Sequence, residues 1–360
     1  MYALLIALIF ISALLTALWV VGAWRILSFT FKANPSVDIA VSVIVCARNE
    51  VDNLKEHLPV ILEQDYENYE LLVVNDHSRD GTEELLNELS LKHEKLRVLH
   101  LRDGKLKAGK KQALAAGIKN AKHEAVLLTD ADCKPLNNGW VRAGASALSN
   151  NEVCLGIGLY KHQKGLVNQL VQWDTFFTAF QYIWYALAGK PYMGVGRNMG
   201  YHKSLFLNKK PQKHDELPGG DDDLFIINLR KRKTVVMNTG TYATLSEAQR
   251  EFGKWMNQKT RHLSTSFYYP LGLNLTLFLL TSISFLFYPL ALFLVFYFPQ
   301  KVFIAVLFKL LVQYVAVKKV GYKWGFKPIK MHFIWAEPLL MALFGVFHLR
   351  NIFKTKPHSW

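Results

Sequence analysis

The stretch IAVSVIVCARNE, residues 39–50, decides how the middle of the chain is read. Its first nine residues are apolar or small and rich in β-branched types, without polar alternation. A strand covered on both faces has that character, and such strands belong to parallel sheets. ARNE breaks the run and leads into a helical pattern with Leu54, Leu58, Ile61 and Leu62 on one face. Working outward, the alternation recurs. ELLVVNDHS (70–78) is a second strand, and DGTEELLNELS opens a helix whose early acidic residues suit the positive end of its dipole. KLRVLH (95–100) is a third strand, AGKKQALAAGIKNA (108–121) an alanine-rich helix, and EAVLLTDAD (124–132) a fourth strand. Strands alternating with helices predict an α/β domain with a mostly parallel central sheet covered on both faces.

Such sheets bind ligands beyond the carboxyl ends of their strands. There the sequence places Arg48, Asn49 and Glu50 after the first strand, Asn75 and Asp76 after the second, and Asp130 and Asp132 after the fourth. Each alone suits a turn; three polar endings on successive strands point to one crevice. Asp130 and Asp132 fall on the same side of an extended segment, because side chains alternate with period two. Two carboxylates held together repel unless a proton or cation lies between them. Mg2+ and Mn2+ prefer oxygen ligands and combine carboxylates with substrate phosphates. A lone D-x-D is a weak motif, and its place after VLLT gives it weight.

The chain has 360 residues, a formal net charge of +15 and 51% hydrophobic residues. That combination suits a nucleic-acid binder or a membrane protein with cytoplasmic lysines. The apolar residues decide for the membrane: residues 1–24 and 267–300 carry no charged side chain, and a helix crossing a bilayer needs about 20 apolar residues. No nucleic-acid recognition module is present to use the basic charge. Residues 1–27 are expected to form a transmembrane helix rather than a signal peptide, lacking a basic start and a cleavage site. Arg25 and Lys32 follow it, which predicts an outside N-terminus and a cytoplasmic domain over 38–265, held in a bacterial inner or plasma membrane. The C-terminal region, 268–350, is read as three spans near 270–297, 302–317 and 331–349, with a tail over 351–360. This puts KKVGYKWGFKPIK inside and the basic tail outside; splitting 268–300 at Pro289 into a hairpin reverses both. Cys46, Cys133 and Cys154 have no metal spacing and are read as buried thiols in a reducing compartment.

SVIVCARNE, VVNDHSRDGT, GKKQAL and TDADC, in this order and spacing, resemble the inverting glycosyltransferases of family 2 over about residues 40–265. The resemblance implies a GT-A-like nucleotide-sugar-binding domain flanked by transmembrane helices. It implies that Ala47, Glu50 and Asp76 contact the nucleobase and ribose, and that Lys107, or Lys110 in its place, neighbours the base or phosphate. Asp130 would approach the ribose and a divalent metal, Mg2+ or Mn2+, and Asp132 would ligate that metal directly. LPGGDDDLF (217–225) resembles the family's acidic acceptor motif and implies Asp222 as the general base, with Asp221 as the alternative. In YMGVGRNMGYHK (192–203), which resembles a glycine-rich segment ahead of that motif, Gly194 and Gly196 permit close backbone approach. Arg197 and Asn198 border the donor sugar or acceptor there, and a plain tight turn accounts for them equally.

QKTRH (258–262) resembles the Gln-x-x-Arg-Trp motif of membrane-integrated, polymerising members. It implies that Arg261 grips the diphosphate bidentately, with Gln258 assisting. His262 stands where that motif has tryptophan, which counts against a cellulose- or hyaluronan-type polymerase. GLVNQLVQWDTFFTAFQYIWYALAG (165–189) is aromatic-rich but interrupted by Gln169, Gln172, Asp174 and Gln181. It is read as a helix at the membrane interface in preference to one buried against the catalytic domain.

The expected activity is metal-dependent, inverting transfer from a nucleotide-diphosphate sugar, a UDP-sugar by preference, to a lipid-linked or membrane-associated acceptor. Processive polysaccharide synthesis onto a saccharide acceptor is the alternative. A catalytically inactive membrane scaffold is disfavoured because every candidate carboxylate is present. The partners so implied are donor, acceptor and bilayer, with no nucleic acid.

Overall fold

The structure, a computed structural model, describes residues 1–102, 109–211, 217, 219–326 and 333–353. In chain order the first elements are α1 (Tyr2–Ser28), β1 (Val41–Ala47), α2 (Val51–Leu62), β2 (Tyr69–Asp76), α3 (Thr82–Lys92) and β3 (Leu96–Leu101). Next come α4 (Lys110–Asn120), β4 (Ala125–Asp130), β5 (Cys133–Pro135), α5 (Trp140–Asn150), β6 (Val153–Leu155), β7 (Gly158–Tyr160) and α6 (Leu166–Leu187). The remainder are β8 (Met199–His202), α7 (Lys203–Leu207), α8 (Asp223–Asn228), β9 (Thr234–Val236), β10 (Thr244–Ser246), α9 (Phe252–Ser264), α10 (Leu271–Leu294), α11 (Pro299–Trp324) and α12 (Phe333–Phe353). These divide into two compact units: residues 30–161 with 185–247, and residues 1–29 with 162–184 and 248–355.

The first unit is built on a seven-stranded sheet in the order β3-β2-β1-β4-β8-β6-β9. The four strands expected from the sequence lie side by side and parallel, with Val41 opposite both Tyr69 and Ala125. The sheet as a whole is mixed rather than uniformly parallel, because β8 runs antiparallel to both β4 and β6. Close approach at Gly200 permits this: a Cβ there would lie 2.6 Å from the Val126 carbonyl oxygen. Val41, Val43, Ile44 and Val45 are at most 1% exposed, each contributing about 1.5–3 kcal/mol through burial. Helix α4 packs on β1 and β2, where Gly117 admits Ile44 and Val74 at distances a Cβ would close to 2.8 and 3.0 Å. At the far end from the carboxyl termini, Glu70 accepts hydrogen bonds from Ser42 Oγ (2.6 Å), Arg97 Nη1 (2.5 Å) and Lys122 N (2.5 Å), tying β1, β2 and β3 together. A three-stranded sheet, β5-β10-β7, flanks the larger one.

The second unit is helical. Among the described residues α1, α10 and α11 are long and apolar enough to cross a membrane, and α12 has a shorter apolar stretch over 333–347. α10 is one helix with Pro289 inside it, not a hairpin. α11 extends beyond the expected 302–317, so Lys318, Lys319 and Lys323 are helical rather than loop residues. Helix α6 covers most of 165–189 and groups with α1 up to Trp184. Its aromatic face explains the grouping: Phe180 packs 4.5 Å from Trp19 between ring centroids, beside Gly22, where a Cβ would approach Phe180 to 2.6 Å.

Candidate active site

The site forms where β1, β2 and β4 end. Ala47 closes β1 opposite Asn75 and is fully buried, so it presents backbone rather than side chain. The loops after β1 and β2 brace each other: Asn49 N donates to Ser78 Oγ (2.9 Å), Glu50 N to Thr82 Oγ1 (3.0 Å) and Arg79 N to Asn49 Oδ1 (2.8 Å). Asn49 and His77 hold positive φ of 56° and 57° to make this possible, a conformation that Asn and His adopt more readily than most residues. Glu50 sits at the start of α2, its Oε2 accepting from Asn53 Nδ2 at 2.6 Å. Burial pushes its carboxyl up, and the Asp132 and Asp130 carboxylates add to the rise. Asp76 ends β2 wholly buried. Its Oδ2 accepts from Gly109 N (2.9 Å), holding the start of α4, and its Oδ1 lies 2.8 Å from His77 Nδ1. Lys107 lies outside the described residues.

Asp130 is the last residue of β4, whereas Asp132 belongs to the turn before β5. The turn, not strand pleat, brings the two carboxylates together. Oxygen atoms of both lie within 4.8 Å of each other and of Cys133 Sγ, a geometry able to hold a metal ion. Burial and the neighbouring Asp130 charge push the Asp132 carboxyl up, the like-charge strain that a bound cation relieves. Cys133 donates to Asp132 Oδ1 at 3.2 Å, and burial holds its thiol well above its ordinary value, so it lies at the site as a neutral neighbour. Cys133 and Cys154 are buried thiols, while Cys46 is partly buried.

Lys110 lies between Asp130 at the end of β4 and the acids ahead of α8. Its Nζ donates to Asp130 Oδ1 at 2.6 Å. Burial works against this ammonium, but the carboxylates of Asp130 and Asp221 outweigh it and hold the group charged well above its ordinary range. Asp222 is the N-cap of α8. Its Oδ1 accepts from Asp223 N at 2.7 Å, and its Oδ2 faces Gly196 N at 3.4 Å. Burial, followed by the charges of Asp223 and Asp221, raises its carboxyl to about 8 against the pull of Lys110. A small cavity beside these groups is lined by Lys110, Thr129, Asp130, Gly196 and Asp221. Glu50, Asp76, Lys110, Asp130, Asp132, Asp221 and Asp222 therefore belong to one unit and surround the carboxyl ends of the sheet. Gln258 and Arg261 lie on α9, in the helical unit.

Two residues of the glycine-rich segment have structural employment. Asn198 accepts from Trp140 Nε1 (3.0 Å) and donates to the Ile157 and Tyr242 carbonyls (2.9 Å each), so its side chain is a buried cross-link. Arg197 donates to Gly158 O (3.0 Å) and stacks over Tyr160, its guanidinium 4.1 Å from the ring centroid. The glycines these two require are upstream: a Cβ would meet Asn198 at 2.4 Å from Gly156 and Arg197 Nε at 2.0 Å from Gly158. Gly196 serves differently, offering its N–H to Asp222. Sequence reasoning missed the Lys110–Asp130 pair and the place of Cys133. The signal for the second was the adjacency of Cys133 to Asp132.

Known proteins resemble this chain in sequence and in fold. The family model described as Glycosyl transferase family 2 matches residues 42–208. The chain is similar to the glycosyltransferase AglE of Haloferax volcanii, 32% identical over 117 residues, covering 32% of this chain and 37% of that one. It is similar to the poly-beta-1,6-N-acetyl-D-glucosamine synthase of Staphylococcus aureus, 27% identical over 134 residues, covering 35% and 32%. Those matches span about a third of the length of each curated relative. Among solved structures, the mannosyltransferase PcManGT from Pyrobaculum calidifontis, in complex with GDP-Man and Mn2+, shares the fold at a TM-score of 0.64 and 18% identity. That likeness covers 98% of this chain and 99% of the other.

Proposed function

We propose, from the match of residues 42–208 to the family 2 glycosyltransferase model, that the protein transfers a sugar from a nucleotide-diphosphate sugar, with inversion and metal assistance. The observation that carries the reading is Lys110 held between Asp130, on the donor side, and the Asp221–Asp222 pair that opens α8. A cation between the two sets of acids would let both serve a single displacement.

The loops after β1 and β2, with Ala47, Glu50 and Asp76, receive the nucleoside. Asp130 and Asp132 would hold Mg2+ or Mn2+, which when bound supplies positive charge against the diphosphate. The close carboxylate oxygens and the raised Asp132 carboxyl fit such an ion. Asp222 takes the proton from the attacking acceptor hydroxyl as the anomeric carbon inverts, and Asp221 is its alternate. Gln258 and Arg261 are assigned to the departing diphosphate on the motif they resemble. No covalent sugar–enzyme bond is required.

Two acceptor classes fit this reading. Likeness to a poly-N-acetylglucosamine synthase supports a growing saccharide chain, so polysaccharide synthesis leads, despite His262 in place of tryptophan. The long apolar helices support a lipid-linked acceptor as the second reading. In either case the catalytic domain is assigned to the cytoplasmic side of the plasma membrane. Membranes enriched in the protein, incubated with labelled UDP-sugars and GDP-mannose, separate the two when products are weighed by mass spectrometry. A ladder of saccharides means polymerisation; one sugar added to an extractable lipid means single transfer.

A further inference from the structure

Asp174 interrupts an otherwise aromatic stretch, and the structure gives it a partner. Its Oδ1 lies 2.8 Å from Lys259 Nζ, and the two side chains are 6% and 12% exposed. Lys259 is one of the two intervening residues of the Gln258-to-Arg261 motif on α9, and Asp174 lies on α6, so the pair joins two helices of the same unit. Rings close around the α6 side. Trp173 stacks on Phe176 and Phe177 at centroid distances of 5.9 and 6.1 Å, and packs 5.8 Å from Phe333 of α12. Helix α9 has a second hold on α12, where Trp255 meets Phe347 edge-on at 5.8 Å.

The spacing along α9 gives the pair a consequence. At about 100° per residue, Trp255, Lys259, Met256 and Thr260 occupy an arc of about 140°. Trp255, Met256 and Thr260 are buried. Gln258 and Arg261 flank the centre of the opposite face. Apolar contacts tolerate a helix turning by a fraction of a residue step, but a buried ion pair tolerates it poorly, since each charge then loses its partner.

We propose that the Asp174–Lys259 ion pair fixes the rotation of α9 and thereby aims Gln258 and Arg261. Both members are positioning residues: they act through α9 and touch no substrate. The inference rests on the assignment of Arg261 to the diphosphate, and its test keeps the two apart.

The full-length protein in nanodiscs with Mn2+ is titrated calorimetrically with UDP against UMP and with GDP against GMP. The quantity read is the preference for diphosphate over monophosphate, which a merely structural role leaves unchanged. Arg261→Ala is expected to abolish it. Lys259→Met and Asp174→Asn are expected to lower it about tenfold, while Lys259→Arg and the reversed pair Asp174→Lys/Lys259→Asp recover it to within about threefold. If Arg261→Ala abolishes the preference and Lys259→Met and Asp174→Asn retain it, the positioning role is overturned while the assignment of Arg261 stands. If Arg261→Ala retains it, the assignment itself fails. Thermal melting accompanies each variant. Unfolding of both single variants without recovery in Lys259→Arg or the reversed pair also overturns the proposal, since the pair would then hold the fold rather than aim the helix.

Discussion

Asp222 caps α8 with one carboxylate oxygen and keeps the other toward Gly196 N–H, and its proposed role as base is testable apart from donor binding. Replacement by Asn preserves shape and capping capacity but removes the proposed base. Asp222→Asn should lower transfer by about 10²–10⁴-fold, with nucleotide-sugar affinity, measured by calorimetry, within about threefold of the parent. Its pH behaviour follows from the same surroundings. The carboxyl is raised to about 8 by burial and by Asp223 and Asp221, and only the deprotonated form accepts a proton. The rate should therefore fall as pH drops through about 8, and the acid limb of kcat/KM should vanish in Asp222→Asn; a limb that persists in the variant belongs to another group. Asp132→Asn replaces one carboxylate of the close pair with a neutral amide. Mn2+ binding, followed by electron paramagnetic resonance, should weaken by about 10–100-fold, and unchanged binding would remove Asp132 from the metal site.

Elements of the sheet unit approach one another closely at glycines. Gly200 on β8 leaves no room for a side chain between Val126 O and Cys154 Sγ, which a Cβ would approach to 2.6 and 3.0 Å. Gly200→Ala should cost about 1–3 kcal/mol, seen as a lower melting temperature with the same nucleotide affinity in the folded fraction. The contrast between β1 and β8 shows what the sequence carries. β1, β2 and β4 are largely apolar runs whose burial on both faces is written in their composition. β8, with the sequence MGYH, and the three-residue strands β6 and β9 are too short for a period to emerge. Their pairing depends on Gly200 and on Asn198 bridging Ile157, Tyr242 and Trp140, contacts between residues far apart in the chain. The strand-end acids were legible for the same reason as β1, since each follows an apolar run. The break between Asp130 and Asp132 was not, because alternating side chains and a tight turn can both bring residues two apart together. Lys110 was legible as a candidate, but its pairing with Asp130 required the packing of α4 on the sheet.

At the scale of the whole molecule, apolar content alone marks α1, α10 and α11, whereas α12 carries Glu337 near its start. Within the helical unit Glu337 meets Lys309 Nζ at 3.0 Å and accepts from Gln313 Nε2 at 2.5 Å, and Lys309 donates to Tyr288 OH at 2.9 Å. Both charged side chains are at most 2% exposed. Glu337→Leu strands an ammonium among apolar helices and should cost about 3–5 kcal/mol, read as a fall in the melting temperature of the detergent-solubilised protein. Lys309→Met/Glu337→Leu should recover most of that loss. A double variant no more stable than the single would show that the pair's charge balance is not what holds α10, α11 and α12 together. Three helices long and apolar enough to cross a membrane accompany a region that matches the family 2 glycosyltransferase model. The most direct measurement is label transfer by purified full-length protein in nanodiscs, supplied with membrane extract as acceptor and with UDP-sugars or GDP-mannose. Transfer that requires Mn2+ or Mg2+, stops with chelator and is absent in Asp222→Asn is the predicted result. Transfer unaffected by chelator and retained in Asp222→Asn, or none from any nucleotide sugar by a folded protein, would contradict it.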